Sequence, residues 1–216
     1  MSCCSHARSA GRFFSFFARR YRKRLASKGL DPIERTLLGN LERAGFENAA
    51  ILEIGCGVGY LHQVMLERGA ARAYGVDLAP RMLDEARALA RERGLADRVR
   101  YREGDFMDLA PEVAPYEVTL LDRVICCYPD AEGLLGRTLE RTERMLGLVY
   151  PRNRWFTRLG AGLTGLALRF AGSDFRPYVH DPERVRDVIG AAGFEQISAA
   201  ENAVWQAEVW VRGGAS

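Results

Sequence analysis

Residues 52–61 read LEIGCGVGYL, and what flanks the three glycines decides the fold. Upstream, AAILEI (49–54) is a short apolar run of strand length. Downstream, VGYLHQVMLERG (58–69) carries apolar residues at helical spacing and stops at Gly69. Gly55, Gly57 and Gly59 therefore fall in a strand-to-helix turn. Glycine there permits positive φ and lets the backbone approach another molecule closely. The helix that follows offers unpaired N–H groups at its first turn.

The same alternation continues in both directions. IERTLLGNLERAG (33–45) predicts a helix, with Ile33, Leu37, Leu38 and Leu41 on one face. ARAYGVD (71–77), RVRYREG (98–104), YEVTLLDRV (116–124) and LGLVYP (146–151) predict strands. PRMLDEARALARERG (80–94), AEGLLGRTLERTERM (131–145), RNRWFTRLGAGLTGLALRFAG (152–172) and DPERVRDVIGAAG (181–193) predict helices. FEQISAAEN (194–202) and VWQAEVWVRG (204–213) predict a closing antiparallel pair. Strand–helix alternation implies an α/β, doubly wound, mostly parallel sheet with helices on both faces. Ligands in such sheets bind beyond the carboxyl ends of the strands, where the strand order switches. Four acids sit at predicted strand ends: Glu53, Asp77, Asp105 and Asp122.

The glycine spacing narrows the ligand. A dinucleotide fingerprint needs a third glycine three residues after the second, and that place holds Tyr60. The spacing is G-x-G-x-G, with Glu53 two residues before Gly55. Over about residues 33–150 the chain resembles the class I S-adenosylmethionine-dependent methyltransferases in this motif and in the acids that follow it. The resemblance implies a Rossmann-like sheet with an antiparallel last strand. It also implies S-adenosylmethionine as cofactor and S-adenosylhomocysteine as product. It assigns Glu53 to the ammonium end, and Gly55, Cys56, Gly57 and Gly59 to the methionine part and ribose. It assigns Asp77 to the ribose hydroxyls, Leu78 and Met82 to the adenine face, and Gly104 and Asp105 to the adenine amino group. Phe106 would back the ring, and Asp122 and Arg123 would border the methyl group.

After the fourth strand the chain reads DRVICCYPD (122–130). Enzymes that methylate the amino groups of nucleobases or glutamine carry Asn/Asp-Pro-Pro-Tyr here, and this chain does not. The acidic body also offers no basic groove for a phosphate backbone, so nucleic acid is not an expected partner. No metal site is expected, because a cation would need several oxygen ligands and Asp122 alone does not supply them. Arsenite would need converging sulfurs, whereas adjacent side chains of an extended segment point to opposite sides. One cysteine is thus expected in the core, with Cys127 and Tyr128 at the substrate end. The string is similar to one in a group of small bacterial methyltransferases related to magnesium-protoporphyrin methyltransferase. That resemblance implies a small-molecule acceptor methylated at oxygen, nitrogen or sulfur. The expected pocket residues are Tyr21, Cys127, Tyr128, Trp155 and Tyr178. The expected proton-handling residues are His180, Tyr128 and Asp122. A thiophilic acceptor and a non-catalytic, cofactor-binding regulator are the alternatives.

Charge separates one end from the rest. Residues 1–28 hold eight Lys/Arg and no acid, which leaves the remainder at −5. Residues 1–32 read as a basic, aromatic helix and lid, and 33–216 as the catalytic domain, with a lid helix inserted at about 152–172. The amino-terminal helix could instead touch an anionic membrane surface or serve as a transit peptide. No run of 18 apolar residues spans a bilayer, and five cysteines without a C-x-x-C spacing fit reduced thiols in cytoplasm. No motif bears on oligomeric state.

Overall fold

The computed structural model describes residues 3–214, with side chains from residue 8 onward. Cys3 and Cys4 therefore lie outside the described side chains. Seven strands run β1 (Ala50–Ile54), β2 (Arg72–Asp77), β3 (Val99–Glu103), β4 (Tyr116–Asp122), β5 (Thr142–Pro151), β6 (Phe194–Glu201) and β7 (Trp205–Arg212). The helices are α1 (Cys3–Lys28), α2 (Pro32–Arg43), α3 (Tyr60–Glu67), α4 (Pro80–Glu92), α5 (Phe106–Leu109), α6 (Ala131–Leu139), α7 (Trp155–Phe170) and α8 (Pro182–Ala191).

The strands form one sheet in the order β3-β2-β1-β4-β5-β7-β6. β1 to β5 are mutually parallel, and β7 lies antiparallel between β5 and β6. This is the α/β, Rossmann-like, doubly wound arrangement expected, with its antiparallel last strand. Residues alternate across the sheet. Ile51 joins Leu37, Leu41 and Met65 in one core, while Leu52 joins Leu121, Leu134 and Ile189 in the other. Helices thus cover both faces. Strand order switches between β1 and β4, and the ends of both strands open on the same edge.

Two boundaries differ from the sequence reading. The helix expected over 131–145 stops at Leu139, and β5 begins at Thr142. Thr142 Oγ1 sits 2.8 Å from both the Thr138 carbonyl and Thr119 Oγ1, which ties it to the neighbouring strand β4. Pairing with β4 outweighs the local helical pattern. The short helix α5 was not expected. It forms because Asp105 accepts the Met107 N–H and caps it.

Candidate active site

The glycine turn joins β1 to α3, and all three glycines have positive φ: Gly55 at 65°, Gly57 at 52° and Gly59 at 70°. Two of them answer to the protein's own packing. A Cβ on Gly55 would collide with Val124, and one on Gly59 would lie 2.7 Å from Tyr101 Oη. Gly57 is different. The nearest atom to a Cβ there is Tyr21 Cε1, 4.0 Å away, across a cavity of about 50 Å³. Tyr21, Glu34, Glu53, Tyr60 and Asp122 line that cavity with the glycine turn.

Its carboxylates differ in how they are held. Glu53 is buried, and its Oε2 accepts from His62 Nδ1. His62 Nε2 lies 2.9 Å from Tyr101 Oη, which in turn accepts from Gln63 Nε2 at 2.9 Å. A chain of hydrogen bonds runs Gln63 to Tyr101 to His62 to Glu53, with Gln63 Oε1 left without a partner among the described residues. His62 therefore orients Glu53. Asp77 closes the turn from β2: its Oδ2 accepts the Gly57 N–H at 2.7 Å and its Oδ1 the Ala79 N–H at 2.8 Å. Burial pushes Asp77 up to about 6, against the pull of those two N–H groups. Asp122, at the end of β4, is held well above the usual carboxylate range by burial, with Arg123 opposing. Asp122 Oδ1 is buried without a hydrogen-bond partner among the described residues.

α1 lies across the outer edge of this site. Its buried Ala18 and Leu25 pack on Val58, Ala79 and Met82. Gly11 rides so close to Leu78 that a Cβ there would come within 2.6 Å of the Leu78 carbonyl oxygen. Arg22 anchors the helix to α4 through Glu85 at 2.8 Å. Burial, then the charge of Asp122, pushes the Tyr21 phenol up to about 12. Leu78 and Met82, expected against adenine, are thus under α1.

Several expected site residues point elsewhere. Arg123 has φ 58° and turns toward α2, pairing with Glu34 at 2.8 Å and with Asp31, and stacking over Trp205. Asp31 and Glu34 form the capping box of α2, so Arg123 clamps that helix instead of facing the cavity. Gly104 has φ 145° and packs against Leu109. The Phe106 ring is buried with Ile54, Val76 and Leu121. The Tyr128 hydroxyl donates to Asp105 Oδ1 at 2.8 Å, and burial holds the phenol well above its ordinary value. The phenol therefore keeps its proton around neutral pH. His180 Nε2 donates toward the carbonyls of Ile125 (3.1 Å) and Tyr128 (3.0 Å), which pins the loop after β4. Tyr178 stacks on His180 and donates its N–H to the Cys126 carbonyl. Trp155 is 76% exposed and does not line this cavity.

Cys126 is buried, as expected for one of the pair, but the local geometry differs. Residues 125–127 form a 3-10 turn, so the chain there is not extended. Cys126 and Cys127 Sγ both approach the Arg123 carbonyl, at 3.2 and 3.6 Å. Neither lines the cavity; Cys56, buried in the glycine turn, does.

Comparison with known proteins places this geometry. Residues 51–146 match the family model described as a methyltransferase domain. The ubiquinone biosynthesis O-methyltransferase of Pseudomonas aeruginosa PAO1 is 29% identical over 167 residues, covering 69% of this chain and 70% of that one. The probable chloroplastic tocopherol O-methyltransferase of Oryza sativa is 32% identical over 59 residues, 27% of this chain, and the chain spans only 16% of its length. Magnesium protoporphyrin IX methyltransferase of Synechocystis PCC 6803, crystallised with S-adenosylhomocysteine, superposes with a TM-score of 0.68 at 20% identity, covering 84% of this chain and 82% of that one.

The site holds three features that fit S-adenosylmethionine. Gly57 leaves bare the space that a side chain would fill. Glu53 supplies a fixed carboxylate for a cation, and Asp122 brings an unpartnered polar oxygen. The sequence reading missed Glu34, and it offers His62 only as a less favoured base than His180 and Tyr128. The Asp31–Glu34 capping-box spacing marked the first, but the burial of His62 behind Glu53 left no mark in the local pattern.

Proposed function

We propose that this protein transfers a methyl group from S-adenosylmethionine to a small organic acceptor at oxygen, nitrogen or sulfur. The observation that carries the reading is Gly57: it alone of the turn glycines is bare toward a cavity, at the switch in strand order, between the carboxyl groups of Glu53 and Asp122. The relatives whose names specify ubiquinone and tocopherol O-methylation support a ring-bearing, apolar acceptor methylated at oxygen.

When bound, S-adenosylmethionine supplies an electrophilic methyl group on a sulfonium. Glu53, held by His62, binds the ammonium end. The Gly55–Gly59 turn, shaped by Asp77, packs on the methionine part and ribose, and the second lone pairs of Asp77 remain for ribose hydroxyls. Leu78, Met82 and Asp105 border the adenosine edge. Tyr21 and Leu25, on α1, exclude water from the cavity, which strengthens the electrostatics inside it. In-line transfer needs alignment above all. Asp122 is the group placed to hold or take an acceptor proton. With Tyr128 and His180 engaged in the loop, it carries that role alone of the three expected.

Pockets for ligands of this size usually enclose roughly 300–1,000 Å³. The cavity is far smaller, so the fit requires α1 to shift outward from Leu78 and Met82. The test is a metabolite extract incubated with methyl-labelled cofactor, followed by identification of the labelled product. A labelled small molecule that disappears with Asp122→Asn supports the reading. Tight S-adenosylhomocysteine binding with no labelled product from any extract points instead to a non-catalytic, cofactor-binding regulator.

A further inference from the structure

α7 is a 16-residue helix, about 24 Å long at 1.5 Å per residue, and Thr157 is its one buried side chain. Trp155, Leu159, Leu163, Leu166 and Phe170 recur every three or four residues and share one face. All five are more than half exposed, with Trp155 at 76% and Phe170 at 85%. Exposed apolar ridges of this size mark interaction surfaces. A second apolar feature adjoins it. Phe16, 78% exposed, and Phe17 connect through Phe13 to Phe175. The next residue, Arg176, backs onto Gly165 of α7. The α7 ridge and the α1 phenylalanines thus flank the same segment.

Charge selects the occupant. Residues 1–28 and 151–173 contain twelve Lys/Arg and no Asp or Glu, while the rest of the chain carries nineteen basic and 28 acidic residues. Arg158 and Arg169 are exposed on α7, and Arg12, Arg20 and Lys23 on α1. A second copy would bring the same positive rim to this face and be repelled. An anionic bilayer matches both features. Trp, Leu and Phe side chains suit the headgroup boundary, and arginines suit lipid phosphates. No helix among the described residues is long and apolar enough to cross a membrane, so the contact would be peripheral.

We propose that the exposed face of α7, with Phe16 and Phe17 of α1, docks this protein on the surface of an anionic lipid bilayer. The proposal does not depend on the methyl-transfer reading. The test is flotation of the full chain with vesicles of equal parts phosphatidylcholine and phosphatidylglycerol, and with phosphatidylcholine alone. The comparison protein carries Trp155→Ser, Leu163→Ser and Phe170→Ser together. These side chains are outside the core, so its circular dichroism should match the parent. We expect binding to the mixed vesicles, at least ~10-fold weaker binding to the neutral ones, and a loss of ~10-fold or more in the triple variant. Raised salt should weaken binding further. A full chain that floats with neither vesicle overturns the proposal, and so does a triple variant that floats like the parent. Light scattering that shows a dimer dissolved by the triple variant, without vesicle binding, would assign the face to a second copy and overturn it too. S-adenosylhomocysteine titration of both proteins reads the cofactor site separately.

Discussion

Two helices lie outside the sheet pattern, α1 and α7. Both are basic, aromatic and free of acids, yet they meet the body differently. α1 presents small residues on its inner face, so Ala10, Gly11 and Ala18 let it settle against the Leu78–Met82 segment, with Leu25 sealing the glycine turn. α7 carries its large residues on an exposed face, and buries only Thr157. The contrast separates a helix packed over the glycine-turn cavity from one whose large side chains stay exposed. Composition does not distinguish them; what lies opposite each face does.

Truncating one leucine on each helix tests the contrast most strongly. Leu25→Ala should cost about 2–5 kcal/mol in urea unfolding, as for other buried leucines. A cost under ~0.5 kcal/mol would break the claim that α1 is sealed down. A smaller effect comes from Asp77, which lies beneath α1. Its carboxyl is raised from 3.8 to about 6 in the folded chain, so its stabilising contribution is full below the ordinary value and is lost as pH rises through about 6. Asp77→Asn should flatten the fall in stability across that window, by ~1–3 kcal/mol. Adding Leu25→Ala should shrink the difference, because a loosened α1 readmits water to the carboxylate. Equal pH slopes in parent and Asp77→Asn would contradict the burial assigned to this group. The smallest effect is expected at α7: Leu163→Ala should change stability by less than ~0.5 kcal/mol. A larger loss would mean that the exposed ridge is packed after all.

The sheet was legible because apolar runs and helical stripes alternate without interruption, and because Gly55, Gly57 and Gly59 mark the first turn. The acids at strand ends were legible for the same reason, since the topology brings strand ends to one edge. Other features were not. The stripe from Trp155 to Phe170 had the right period, but periodicity does not say whether a face is covered. The extended geometry assumed for Cys126 and Cys127 failed because a 3-10 turn follows β4. Tyr128 and His180 looked like proton carriers by residue type. Their partners, Asp105 and two loop carbonyls, come from segments far apart in sequence or from backbone atoms that leave no trace in it.

The central claim is that the bare space at Gly57 is where the cofactor sits. Calorimetric titration of S-adenosylhomocysteine into the parent and into Gly57→Leu tests it most directly, with circular dichroism to confirm that both are folded. The account predicts one-to-one binding by the parent and a loss of ~100-fold or more in the variant, since the added side chain would occupy the cavity in front of Tyr21. No binding by the parent, or equal binding by a folded Gly57→Leu, would contradict it.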